Sequence, residues 1–160
     1  MEYGQAMNIA HQVIQVLKHS CDFVAIAGSL RRGKKFVNDI DIVYIPRNQG
    51  EFIVALQSLG KFTMGGQKII RVQLPQIMLD VYVADKNTWA TLLLIRTGSK
   101  AHNIRLCSLA KRKGMQLKAD GSGLFRLTDC GGTGVRIAGD SEESILFALG
   151  MEYVPPERRE

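Results

Sequence analysis

The stretch Asp39-Ile40-Asp41-Ile42-Val43-Tyr44-Ile45-Pro46 leaves the chain few choices. It is rich in β-branched side chains and closes on a proline, so it reads as a strand. Side chains alternate across a strand, which sets Asp39 and Asp41 on one face. Taken alone, an Asp-x-Asp of this kind is most often the polar face of an edge strand, and only its neighbours make it more.

Those neighbours are informative. Phe23-Val24-Ala25-Ile26-Ala27 reads as a short apolar strand ended by Gly28-Ser29, followed by Leu30-Arg31-Arg32-Gly33. A strand, a Gly-Ser turn and a helix start aim backbone N–H groups and the Ser29 hydroxyl at one point, the way turns hold phosphate. Arg32 adds a cationic anion ligand, whereas Arg31, its neighbour on the turn, is expected to face solvent. Further along, Asp80 sits inside the apolar run Met78-Leu79-Asp80-Val81-Tyr82-Val83, where an unpaired carboxylate would be costly to bury, and a metal would partner it. If the strands pair, Asp39, Asp41 and Asp80 converge as three hard oxygen ligands suited to Mg²⁺. Two ions are expected there, with Mn²⁺ as a substitute: Asp39 and Asp41 touch both, and Asp80 holds the one nearer an attacking hydroxyl and accepts its proton.

Charge points the same way. The chain has 160 residues, 46% of them hydrophobic, and 21 Lys+Arg against 15 Asp+Glu, a net charge of +6 with an isoelectric point near 9.4. A domain of this size can bury a core, and its excess of positive charge suits a polyanion such as nucleic acid. The basic residues form two groups: Arg31, Arg32, Lys34 and Lys35, then Lys100, Arg105, Lys111, Arg112, Lys113 and Lys118. Cys21, Cys107 and Cys130 form no CxxC pair and read as free thiols of a reducing compartment. His11, His19 and His102 have no partners at zinc-ligand spacing, which argues against structural zinc. No signal-like start and no stretch of 18 apolar residues are present, so a soluble, cytoplasmic protein away from membranes is expected.

The remaining pattern alternates elements of both kinds. Residues 5–19 and 51–59 read as helices, 68–74 and 78–84 as strands separated by Pro75, and 87–96 and 100–113 as helices broken at Thr97-Gly98-Ser99. Short strands at 115–118 and 123–127 precede a glycine-rich stretch, a helix opened by Ser141-Glu142-Glu143-Ser144, and an extended tail from Val154. Trp89 and Phe125 are expected in the core and His102 at the surface or in packing.

Taken together, these motifs resemble the nucleotidyltransferase superfamily. The spacing from Gly28-Ser29 across nine residues to Asp39-Ile40-Asp41 is similar to its signature. Gly28-Ser29-Leu30-Arg31-Arg32-Gly33, Thr97-Gly98-Ser99-Lys100-Ala101-His102-Asn103 and the ending from Ser141 to Arg158 look like family X DNA polymerases, the polymerase beta type. The resemblance implies an α+β fold: a palm over residues 1–96, with a mixed or antiparallel sheet and flanking helices, and a small α+β thumb-like lobe over 97–160 that closes over the nascent base pair. It implies that Gly28, Ser29, Arg32, Asn38 and Gly98 surround the incoming nucleotide and that Asn103 contacts its base from the minor-groove side, a contact that checks pair geometry without reading sequence. Lys100 and Arg105 are implied DNA contacts.

The expected activity is DNA-directed synthesis by a two-metal mechanism, adding dNTP to a primer 3′ hydroxyl in short-gap repair. The partners are primer–template or gapped DNA, with an accessory clamping protein, and the chain itself is a monomer. Two departures bear on this. Ile95-Arg96 stand where family members often carry an aromatic pair beside the sugar, and Met78 replaces an arginine near the primer end. The sequence is read as lacking the N-terminal lyase lobe, the helix-hairpin-helix clamps and a phosphoesterase domain. The alternatives are a nucleotidyltransferase acting on a small molecule, a tRNA end or a protein, and a non-catalytic DNA-binding module.

Overall fold

The computed structural model describes all 160 residues and is an α+β protein with two sheets. Helix α1 (Tyr3–Leu17) leads through a 3₁₀ turn into β1 (Cys21–Ile26), the short α2 (Gly28–Arg31) and β2 (Asp39–Pro46). Then come α3 (Gln49–Leu59), β3 (Lys61–Gly65), β4 (Ile69–Gln73) and β5 (Met78–Val83). The five strands form a mixed sheet in the order β1-β2-β5-β4-β3, parallel only where β2 meets β5. Helices α4 (Trp89–Thr97) and α5 (Lys100–Arg112) follow, then an antiparallel meander of β6 (Met115–Lys118), β7 (Gly123–Leu127) and β8 (Thr133–Ala138), and finally α6 (Glu142–Ala148).

Alternation along the central strands divides the large sheet into two faces. Ile40, Ile42, Tyr44, Leu79 and Val81 join Ala6, Ala10, Val13 and Leu17 of α1 and Phe52 and Leu56 of α3 in one buried core. Tyr44 stacks on Phe52 at 4.2 Å between ring centroids, and its hydroxyl donates to the Ser20 carbonyl at 2.5 Å. Val43, Ile45, Tyr82 and Ala84 emerge on the opposite face, against Ala27 and Leu92. Asp39, Asp41 and Asp80 share this second face by the same alternation. A separate core joins Leu94 of α4, Leu106 and Ala110 of α5, the meander and Ile145, Leu146 and Leu149 at the α6 end.

Several local expectations are corrected. Strands β3 and β8 were legible only as connecting chain, because β3 is largely exposed and Val135 of β8 is 74% exposed, so neither shows an inward apolar stripe. Trp89 and Phe125 are only half-buried; Trp89 packs on Phe23, itself an exposed ring, at 5.7 Å between centroids. The tail carries a 3₁₀ turn (Pro156–Arg158) and buries Arg159 completely. Of the two places expected for His102, packing holds: it is buried in the first turn of α5, and burial and then the positive charge of Arg159 push its imidazole down to about 4. No helix is long and apolar enough to cross a membrane.

Candidate active site

An open cleft of about 570 Å³ runs between the second face of the large sheet and helices α4 and α5. Gly28, Ser29, Arg32, Asp39, Asp41, Gly98, Lys100 and Asn103 line it, so eight of the residues singled out from sequence meet in one place. Asp80, Asn38 and Arg105 are not in its lining. Asn38 is exposed, and Arg105 on the outer side of α5 donates to the Glu160 carbonyl.

The turn before α2 explains how the phosphate-type loop reaches the carboxylates. The Ala27 amide donates to the Asp41 carbonyl at 2.8 Å, which joins the end of β1 to β2. Gly28 follows with φ +61°, and a Cβ there would run into the Asp41 carboxylate. Only glycine gives both the backbone conformation and the room. Arg32 at the end of α2 donates to the Thr97 carbonyl, just before Gly98. Burial lowers its guanidinium below the usual arginine range, and its Nε is buried without a partner.

Arg31 is not a solvent-facing side chain. It grips Glu142 of α6 with two N–H···O bonds of 2.9 and 2.8 Å and donates to the Thr97 hydroxyl at 2.7 Å. Arg159 Nη1 donates to Glu142 Oε1 at 2.8 Å, the oxygen that also accepts from Arg31 Nη1, and Arg159 Nε donates to the Val154 carbonyl at 2.8 Å. Burial would raise the Glu142 carboxyl, but the hydrogen bonds from Arg31 and Arg159 outweigh it and hold the group below its ordinary value. Two cations around one buried carboxylate tie α2, α4, α6 and the tail together.

Electrostatics single out Asp41. Burial, and then the charge of Asp39, raise its carboxyl to about 6. The Tyr82 hydroxyl donates to Asp41 Oδ1 at 3.2 Å, and the Arg96 guanidinium lies 4.3 Å from the centre of the Tyr82 ring. A carboxylate crowded in this way favours a cation. Asp39 and Asp41 therefore fit a hard divalent ion as cleft-facing oxygen donors, with water and substrate phosphate as further ligands. Asp80 is 3% exposed and already partnered: Arg71 Nε and Nη2 each donate to one of its oxygens at 2.6 Å. The pairing assigned from sequence to a metal is thus made by an arginine on β4. No three His, Cys, Asp or Glu side chains stand close enough to hold an ion by themselves.

Helix α5 begins at the same cleft. Ser99 caps it, accepting from the His102 amide at 3.2 Å. Asn103, one turn in, donates through Nδ2 to the Ile95 carbonyl at 2.8 Å, which fixes its amide plane, while Oδ1 is buried with no partner. Sequence reasoning missed Tyr82, Ile104, Cys107 and Ser108 as lining residues, and Ile95 and Arg96 entered only as departures from a pattern. Arg71 was detectable in principle, because a hairpin turning at Pro75-Gln76 pairs residue 71 with 80.

A family described as DNA polymerase beta thumb matches residues 92–160. The chain is 27% identical over 165 residues to "DNA polymerase/3'-5' exonuclease PolX" of Bacillus subtilis (strain 168), across 98% of its own length and 28% of the relative's. It therefore spans little more than a quarter of the relative it matches.

Proposed function

We propose that this chain, similar to the polymerase beta thumb over residues 92–160 and to a PolX DNA polymerase along 98% of its length, transfers nucleotides from dNTP to the 3′ hydroxyl of a DNA primer in short gaps. The observation that carries this reading is the single cleft that unites Gly28, Ser29 and Arg32 with Asp39 and Asp41 and with Asn103 on the facing helix. In this reading residues 1–96 act as the palm and 97–160 as the lobe that closes over the base pair.

Ser29 and Arg32 bind the triphosphate, and Gly28 lets the backbone of the α2 turn lie close to both the phosphates and the Asp41 carboxylate. Asp39 and Asp41 hold divalent cations, Mg²⁺ or Mn²⁺, and Asp80 stands beside Asp41 in register on the neighbouring strand. Cations bound there would acidify the attacking hydroxyl and neutralise the leaving pyrophosphate. Asn103 turns its Nδ2 from the Ile95 carbonyl to an acceptor on the base edge. Lys100 and the exposed Arg105, Lys111, Arg112 and Lys113 of α5 and the turn after it lie along the DNA backbone, where salt-sensitive contacts give affinity without sequence preference.

The test is primer extension with Mg²⁺ on gapped, recessed and nicked DNA, with each dNTP and rNTP supplied in turn. Incorporation at the 3′ end supports the reading, and no incorporation on any DNA rejects it. One observation favours a second reading, transfer to a non-DNA acceptor: Ile95 and Arg96 line the cleft in place of the aromatic pair. Nucleotide transfer to tRNA or a small alcohol, with none to DNA, would select it.

A further inference from the structure

We propose that Arg71 guards the third carboxylate: it occupies both oxygens of Asp80 and must withdraw before Asp80 can ligate a divalent cation. This deepens the function proposed above and rests on its assignment of a cation site to this sheet face.

Asp80 and Arg71 are direct partners across the antiparallel β4–β5 pair, and Asp80 is also in register with Asp41 across the parallel β2–β5 pair. Asp80 therefore stands between a cation it already has and the cleft where another would sit. The guanidinium meets the carboxylate fork to fork, both bonds at 2.6 Å, an arrangement that takes one in-plane lone pair of each oxygen and sets a positive charge where a metal would approach. The two side chains differ in freedom. That of Asp80 is 4% exposed, whereas that of Arg71 is 40% exposed and makes no other side-chain hydrogen bond.

A buried carboxylate needs a positive partner at all times. Here the arginine serves until an ion arrives, then swings toward solvent. The exchange breaks at least one N–H···O bond and forms one oxygen–metal bond, and no proton changes hands. A purely structural ion pair predicts something different, a loss of stability on mutation with no change in cation affinity. Arg71 is a positioning residue in this scheme, since it acts on the reaction only through Asp80.

The experiment titrates Mn²⁺ into the full chain without nucleotide or DNA and follows free Mn²⁺ by electron paramagnetic resonance, with thermal unfolding to confirm that each variant is folded. Arg71→Ala should bind Mn²⁺ about tenfold more tightly, the size expected for freeing a charge-assisted hydrogen bond. Arg71→Lys, a point charge without the fork, should fall between, and Asp80→Asn should abolish the effect of Arg71→Ala. Unchanged or weaker binding in Arg71→Ala, or no binding by any variant, overturns the proposal. If Arg71→Ala does not fold, Arg71→Lys decides, with increased affinity supporting the guard and unchanged affinity rejecting it. Because no nucleotide or DNA is present, the outcome stands apart from whether the wild type extends a primer.

Discussion

Gly28 lies so close to Asp41 that the space a Cβ would fill is already taken by the carboxylate. Gly28→Ala must therefore push back either α2 or Asp41, at a position whose φ of +61° also disfavours any side chain. The protein should still fold, since the strain is confined to the α2 turn, but incorporation should fall about a hundredfold or more, as expected for a small misplacement of reacting groups. Circular dichroism and primer extension on the same preparation measure both.

Asp41 sets stability against activity. Its carboxyl rises from 3.8 to about 6, so between those values the folded chain holds a proton the unfolded chain has lost. Stability without cations should therefore decline as pH rises from about 4 to about 6 and level off above that. The shift corresponds to about 3 kcal/mol, so Asp41→Asn should be more resistant to urea than the wild type at pH 7.5 in EDTA. It should also abolish nucleotide transfer. A variant as fragile as the wild type, or one still active, would contradict the assignment.

The ion cluster at Glu142 predicts the reverse balance. Glu142→Ala leaves Arg159 buried without its carboxylate and frees Arg31 from α6. Breaking a buried pair of this kind costs roughly 3–5 kcal/mol. Urea denaturation should report most of that loss, and Glu142→Gln, which keeps hydrogen-bond acceptance but not charge, should recover part of it.

Asn103 joins the cleft through a fixed amide. Asn103→Ala removes both the Ile95 contact and the free Oδ1. The KM for the incoming nucleotide should rise about tenfold, the scale of one lost hydrogen bond at a binding site. Steady-state kinetics with a single correct nucleotide would show it, and unchanged KM and kcat would remove Asn103 from the site.

The α+β fold class and the local segment of the candidate site were both legible in the sequence. Gly28, Ser29, Arg32, Asp39 and Asp41 lie within one local segment, where turn chemistry and strand alternation act over a few residues. Their convergence with Gly98 and Asn103 followed from the motif resemblance and appears here as one cleft. What escaped depends on distant partners. Arg31 looked like a surface residue because Glu142 lies 111 positions away, and Asp80 looked unpaired because its cation comes from the adjacent strand. Edge strands β3 and β8 escaped for another reason: β3 is mostly exposed, and β8 alternates with Gly134 and Arg136 on its less exposed side and Val135 and Ile137 on the exposed one.

The parallel pairing of β2 with β5 has a consequence for how this chain is made. Asp41 and Asp80 become neighbours only after the whole intervening excursion has folded back, and such non-local pairings form slowly. A slip of one residue between these strands would turn Leu79 or Val81 toward the cleft and drive Asp80 into the hydrophobic interior. Misregistered chains would thus lose the candidate site and much of their stability together.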